Sequence, residues 1–251
     1  MKKSFLILSA LYIAAMAVAQ DVLVIPYNTT SLTEEQRNAN PDYIVYPTSL
    51  EGVDEVDMIC NKYVDLGLPS GTKWAKCNVG ASTPEEYGDY FAWGETEPKD
   101  NYGWSTYKWY DESTDQLTKY CTDAYYGTVD NKTTLEPEDD AATVNWGDDW
   151  RIPTQEEWKE LLENCTWTWT TENGVNGYIV ISSNGNKIFL PAAGMYEGSS
   201  NNLASTYGFY RSSSLLKAMT FDYVIYFDGN IVTEAGEYSC EGLSVRPVLN
   251  K

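Results

Sequence analysis

The pattern of hydrophobic and polar positions separates a short apolar N-terminus from a long body in which apolar runs are brief. Residues 5–18 form a mostly apolar run behind Lys2-Lys3, and small residues follow up to Ala19. This order is typical of a signal peptide, with cleavage expected between Ala19 and Gln20. The run is shorter than the roughly 20 apolar residues of a membrane helix. We therefore expect export to the periplasm, outer surface or medium, with no membrane span after residues 1–20 are removed.

From about residue 61, short apolar and β-branched runs alternate with turn residues, which predicts strands joined by tight turns. Asn184-Gly185 and Asp228-Gly229 supply the positive φ that two-residue hairpin turns need. The predicted strands are hairpins of residues 63–68 with 73–79, 178–181 with 187–190 and 224–227 with 231–232, and a terminal strand at 243–249.

The clearest helix signal lies at residues 155–164. Thr154 stands in the N-cap position and Glu157 follows three residues later, which together predict a capping box. Trp158 and Leu162 share one face at helical spacing, and we expect both to be buried against a sheet. A strand-rich α+β fold with one or two helices and long loops follows from this pattern.

Charge and histidine content exclude several classes of function. The formal net charge is −20, and a body this acidic repels nucleic-acid phosphates and anionic lipid surfaces. The sequence has no histidine, which removes Ser-His-Asp and Cys-His catalysis and His-ligated zinc. Five cysteines are present without a CxxC pair, so a zinc site is not indicated either. Carboxylate chemistry, cysteine chemistry and hard-cation binding remain.

An acidic segment near the middle of the chain is the candidate metal site. Glu136, Glu138, Asp139 and Asp140 place four carboxylates within five positions. Calcium takes six to eight oxygen ligands from flexible loops, so a structural calcium ion is the cofactor that this segment predicts. The alternative is a solvated acidic loop in which one carboxylate caps the helix that begins near Ala141.

An aromatic-rich segment at residues 99–128 is the candidate ligand-binding region. Its rings are interleaved with Gly, Ser, Thr, Asp and Lys, as expected of a long loop rather than a core strand. Some rings must cover the core beneath, whereas others can stack on a ligand. The candidate binding residues are Trp104, Tyr107, Trp109, Tyr125 and Tyr126.

Five sequence blocks carry a resemblance to a known family. They are VDLGLPSGTKWAKCNVG at 64–80, EYGDYFAWGE at 86–95, WRIPTQEEW at 150–158, IFLPAAG at 188–194 and SVRPV at 244–248. Together they resemble the Fibrobacter succinogenes major paralogous domain of Bacteroidetes. The resemblance implies a C-type-lectin-like fold over residues 61–251. Residues 21–60 then form an N-terminal extension or linker.

The same resemblance implies a secreted or surface-exposed module for binding or adhesion, with a glycan or an extracellular protein as partner. Catalysis is not expected, and the sequence leaves the oligomeric state open. The lectin sugar-site triplets are missing, since the nearest string is Glu136-Pro137-Glu138. One alternative is a structural subunit of a surface appendage or envelope assembly. Another is a divergent formylglycine-generating enzyme. Those enzymes use a pair of active-site cysteines in their C-terminal part, whereas this chain has only Cys240 there.

Overall fold

The computed structural model of this chain describes residues 63–201, 203–216 and 220–250. The predicted signal peptide, its cleavage site at Ala19 and Gln20, and the extension at 21–60 lie outside the described residues. In chain order the elements are β1 (Tyr63–Asp65), β2 (Lys73–Ala75), β3 (Tyr90–Phe91), β4 (Tyr110–Asp111), β5 (Gln116–Leu117), α1 (Ala141–Trp146), β6 (Trp150–Arg151), α2 (Gln155–Asn164), β7 (Cys165–Glu172), β8 (Val175–Ser182), β9 (Lys187–Pro191), β10 (Gly208–Leu216), β11 (Phe221–Phe227), β12 (Val232–Tyr238), β13 (Leu243–Ser244) and β14 (Val248–Leu249).

These strands form four sheets, with the orders β1-β2-β14-β6, β12-β11-β10-β13-β3, β4-β5 and β7-β8-β9. The pairings are antiparallel except for β10 with β13, which run parallel. The predicted hairpins are β1–β2, β8–β9 and β11–β12, and Gly185 adopts the expected positive φ of 85°, whereas Gly229 does not adopt the positive φ expected of it. The prediction of a strand-rich α+β fold with short antiparallel sheets is confirmed, whereas the C-type-lectin-like fold stays a prediction.

Helix α2 packs against the sheets through the largest hydrophobic cluster of the described residues. It begins at the predicted capping box, in which the Thr154 side chain accepts from the Glu157 amide and Glu157 reaches back to the Thr154 amide. Trp158 is 1% exposed, as predicted, while Leu162 is only partly buried against the same cluster. The Trp158 indole stacks at a tilt on Trp74 of β2, 4.6 Å between ring centroids. The helix is therefore held both by its cap and by an aromatic contact to another element.

Strand β10 is irregular in its middle. Its pairing with β11 is regular up to Arg211, shifts register, and resumes at Leu215. The carbonyl of Arg211 accepts from the Trp158 indole at 3.0 Å, and that of Ser212 accepts from the Trp93 indole at 2.9 Å. The carbonyl of Ser213 accepts the amide of Leu135, also at 3.0 Å.

The predicted terminal strand at 243–249 is split. Strand β13 pairs with β10 and β3, whereas β14 pairs with β2 and β6 in a different sheet. Between them the fully buried guanidinium of Arg246 donates to the carbonyls of Lys76 at 2.7 Å and Phe189 at 2.9 Å. Its Nε donates to the Asn78 amide oxygen at 2.9 Å. The chain thus changes sheets at Arg246, which joins β9 to the segment after β2.

Neither helix in the described part of the chain has the length and apolar composition that crossing a membrane requires.

Candidate functional site

The aromatic-rich segment at residues 99–128, here called the aromatic insert, is attached to the body of the protein through its own rings. Tyr107 is 5% exposed, and its hydroxyl donates to the Trp93 carbonyl at 2.8 Å. The half-buried Trp109 donates its indole N–H to the Gly94 carbonyl at 2.9 Å. Burial raises the pKa of Tyr107 well above its usual value. Tyr107, which the sequence suggested as a ligand-binding residue, therefore packs inside the protein and is not presented at the surface.

Trp104 occupies an intermediate position. It lies in a short 3₁₀ turn, Trp104–Thr106, and its ring contacts Tyr107, Tyr110 and Tyr238 edge-on or at a tilt. The ring is half-buried and joins the insert to strand β12. Like Trp109, it has an inward face engaged in packing and only part of its surface open to solvent.

Tyr125 and Tyr126 form the outer part of the insert. Tyr125 is 79% exposed, the largest fraction among the exposed large hydrophobic side chains. The half-buried Tyr126 stands perpendicular to it, with ring centroids 4.9 Å apart. The Tyr125 backbone is fixed on both sides, because its amide donates to Asp123 at 2.9 Å and its carbonyl accepts from Gln116 at 3.5 Å. Tyr125 is thus an open ring on an ordered backbone.

The acidic segment lies beside the insert and is matched by lysines. Lys119 contacts both Glu136 and Asp139 at 2.5 Å, Lys108 contacts Asp139 at 3.0 Å, and Lys132 contacts Glu136 at 2.7 Å. We call these five residues the lysine-paired cluster. Burial raises the pKa of Asp139, but hydrogen bonds from Lys119, Tyr120 and Lys108 outweigh it and leave the pKa below its usual value. The repulsion that suggested a cation is therefore offset by ammonium groups.

Asp140 has a different task from its neighbours. Its carboxylate accepts from the amides of Ala142 and Thr143 at the start of α1, and from the Ile152 amide at 2.8 Å. Burial raises its pKa against these hydrogen bonds. Asp140 thus caps a helix, which is the role that the sequence offered as the alternative to binding calcium. Glu138 is exposed, and no group of metal-ligating side chains in the described ranges is placed to hold an ion.

A second group of carboxylates gave no signal in the sequence. Asp222 on β11 is the register partner of Glu237 on β12, and Glu241 lies just beyond β12. Asp222 is 0% exposed and Glu241 6% exposed. Arg211 forms an ion pair with Asp222, and Glu237 and Glu241 have no ion-pair partner among the described residues. We call these four residues the buried acidic cluster.

Two acceptor atoms of the buried acidic cluster have no hydrogen-bond partner, Asp222 Oδ2 and Glu241 Oε2. Burial, aided by the charge of Glu237, raises the pKa of Glu241 to about 7. Burial also raises the pKa of Asp222, and the charge of Arg211 opposes that shift. Strongly perturbed carboxylates mark functional sites and structural ion pairs alike. Only spacing in three dimensions reveals this group, because its members come from different strands.

The cysteines divide into one bonded and three free among the described residues. Cys77 is disulfide-bonded, whereas Cys121, Cys165 and Cys240 are free. Burial raises the pKa of the Cys240 thiol to about 12 and also raises that of Cys165. A thiolate nucleophile needs a lowered pKa, so these two thiols are protonated at neutral pH and are poor nucleophiles.

Comparison of the chain with family models, with curated proteins and with solved structures gives no significant match. The geometry of the insert and of its neighbours therefore carries the functional argument.

Proposed function

We propose that residues 61–251 form an exported, non-catalytic module that binds a glycan through the outer part of the aromatic insert. The observation that carries this proposal is Tyr125, whose ring is 79% exposed on a backbone fixed by Asp123 and Gln116. An exposed aromatic ring costs little conformational entropy when a ligand covers it, because only two side-chain torsions are ordered.

The packing of the insert supports the same proposal. A binding site works best when loops are held by a rigid scaffold. Tyr107 is buried and Trp109 is bonded to the Gly94 carbonyl, so the base of the insert is anchored while its outer rings remain open. The Asp123 carboxylate and Gln116 amide lie next to Tyr125 and offer acceptors and donors to sugar hydroxyls.

Substitution of Tyr125 tests the proposal. The intact protein and Tyr125→Ala are screened on a glycan array, and the best ligand is then measured by titration calorimetry. We expect Tyr125→Ala to weaken binding about tenfold, the loss of roughly 1.4 kcal/mol of contact energy. Tyr63→Ala is the matched control, since Tyr63 is 46% exposed on β1 and lies outside the insert.

Two results would count against a glycan site. Equal binding by Tyr125→Ala and Tyr63→Ala shows that the insert is not the contact surface. If no glycan on the array binds and extracellular-matrix proteins bind in a Tyr125-dependent way, the partner of the same surface is a protein.

A further inference from the structure

A second surface of the molecule carries an inference that does not depend on the aromatic insert. In the β7-β8-β9 sheet, Val180 and Leu190 pack into the hydrophobic core. Their neighbours Ile179 and Phe189 are register partners, and because side chains alternate along a strand they lie on the other face. Phe189 is nevertheless only 4% exposed. Its ring packs over Gly177 of β8, where an added Cβ would come within 2.7 Å of Phe189 Cζ.

Phe189 also lines a groove of about 150 Å³. Its apolar lining includes Val64, Ile179 and Phe189, and its polar lining is Lys76, Lys187 and Glu172. The groove is open to solvent, and its volume is close to that of an enclosed cavity that holds one benzene molecule. The groove, here called the Lys76 groove, therefore suits a single ring or a branched aliphatic group.

The charge of the Lys76 groove is opposite to that of the protein. Lys76 makes no ion pair with any residue that the structure describes. Lys187 lies 3.8 Å from Glu172, and with side-chain exposures of 57% and 33% this pair is weak. Two ammonium groups and one carboxylate thus give a local excess of positive charge in a chain of net charge −20.

The groove is also held in shape from below. The guanidinium of Arg246 donates to the carbonyl of Lys76 at 2.7 Å and to that of Phe189 at 2.9 Å. One fully buried side chain therefore fixes the spacing between the backbone that carries the unpaired ammonium and the backbone that carries the apolar floor. Such pre-organisation lowers the entropy that a ligand must give up on binding.

We propose that the Lys76 groove binds a small carboxylic acid whose body is one aromatic ring or a branched aliphatic group. The body lies on Ile179 and Phe189, and the carboxylate contacts the Lys76 ammonium. The acid is either a free small molecule or the C-terminal residue of a peptide, since both present the same carboxylate beside an apolar group.

Methyl NMR titrations on the mature protein test this proposal. Phenylacetate is the free-acid probe, acetyl-Gly-Phe is the peptide probe, and phenylacetamide is a neutral molecule of nearly the same shape. We expect phenylacetate to shift the Ile179 methyl signals with a dissociation constant of about 1 mM, and phenylacetamide to bind about tenfold more weakly. The Ile231 methyls, 49% exposed next to the Asp228-Gly229 turn, serve as the internal control and stay unshifted. The tighter of the two acids identifies the source of the ligand.

Lysine variants separate recognition from general charge. Lys76→Gln should weaken phenylacetate binding about tenfold, whereas Lys159→Gln, which removes an exposed lysine of α2, should leave it unchanged. The proposal is overturned if phenylacetamide binds as tightly as phenylacetate, or if the two lysine variants behave alike. It is equally overturned if neither acid shifts the Ile179 methyls at concentrations up to about 20 mM.

Discussion

The two carboxylate groups of this protein differ in what surrounds them. In the lysine-paired cluster, Glu136 and Asp139 are met by three ammonium groups at 2.5–3.0 Å. In the buried acidic cluster, Arg211 forms an ion pair with Asp222, and its charge lowers the pKa of Glu237 and Glu241 against the effect of burial. The first group lies partly at the surface beside the aromatic insert, and the second lies between strands β10, β11 and β12.

This difference in charge balance reverses the direction of the pKa shifts. Lysine contacts hold the pKa values of Glu136 and Asp139 below the usual values. Burial raises the pKa values of Asp222, Glu237 and Glu241. Lysine contacts therefore favour the ionised form of Glu136 and Asp139, whereas burial favours the protonated form of Glu241. The number of carboxylates alone indicates neither a metal site nor a stability gain.

The largest effect is expected at Arg211. Arg211→Met leaves the fully buried Asp222 carboxylate without its cation, and we expect a loss of about 3–5 kcal/mol in the free energy of unfolding. Urea denaturation measures this loss. The double variant Arg211→Met with Asp222→Leu removes both charges and should recover most of it. A single variant that loses less than about 1 kcal/mol would show that Asp222 is already neutral in the native protein.

The pH dependence of stability gives the next largest effect. The folded-state pKa of Glu241, about 7, lies above its usual value of 4.5, so the folded protein binds more protons between these values. The contribution of the protonated Glu241 carboxyl to the free energy of unfolding is fully present below about pH 4.5 and is lost as the pH rises through 7. We expect a loss of about 2–3 kcal/mol across this range, measured by urea denaturation at pH 5 and pH 8.

Glu241→Gln is the variant that isolates this effect. An amide does not ionise, so the variant should match the wild type near pH 5 and exceed it in stability at pH 8. The chain has no histidine, but Asp222, whose pKa is raised to about 6, also loses its proton in this range, so the difference between wild type and Glu241→Gln is what reports on Glu241. A Glu241→Gln variant that loses as much stability as the wild type between pH 5 and pH 8 would contradict the raised pKa of Glu241.

A smaller effect of opposite pH dependence is expected at Lys119. Lys119→Met removes the contacts to Glu136 and Asp139 and should cost about 1–2 kcal/mol at pH 7. Because these carboxylates have lowered pKa values, that stability is present above their usual values and disappears as the pH falls through the folded values. Lys159→Met, whose partner Glu163 lies 3.9 Å away at the surface, is the control and should change stability by less than about 0.5 kcal/mol.

The sequence predicted the local parts of this fold well. The α2 capping box depends on residues three positions apart, and the hairpin turn at Asn184-Gly185 depends on two neighbours. The Arg246 contacts join residues up to 171 positions apart, so no local pattern could indicate them. The same contacts explain the prediction that was wrong, one strand over 243–249. The chain leaves one sheet where the Arg246 side chain enters the interior, and Pro247 has no amide hydrogen with which to continue a ladder.

The candidate site was predictable in composition but not in exposure. The interleaved aromatic residues indicated the insert, yet Tyr107 and Tyr125 are the same residue type with exposures of 5% and 79%. Which ring faces solvent depends on the Trp93 carbonyl that Tyr107 reaches, and that carbonyl lies 14 positions away. Similarly, four adjacent acids indicated a cation, but two of the three lysines that contact Glu136 and Asp139 come from other parts of the chain.

The irregular middle of β10 couples segments that are distant along the chain. In a strand paired regularly on both edges, the carbonyl groups accept hydrogen bonds from the neighbouring strands. At the register shift in β10, three successive carbonyls, beginning with that of Arg211, accept hydrogen bonds from other donors instead. Helix α2, the segment at Trp93 and the segment at Leu135 each attach to one of them. Opening that short stretch would release all three attachments together, so we expect these parts to unfold as a single cooperative unit, with similar hydrogen-exchange protection.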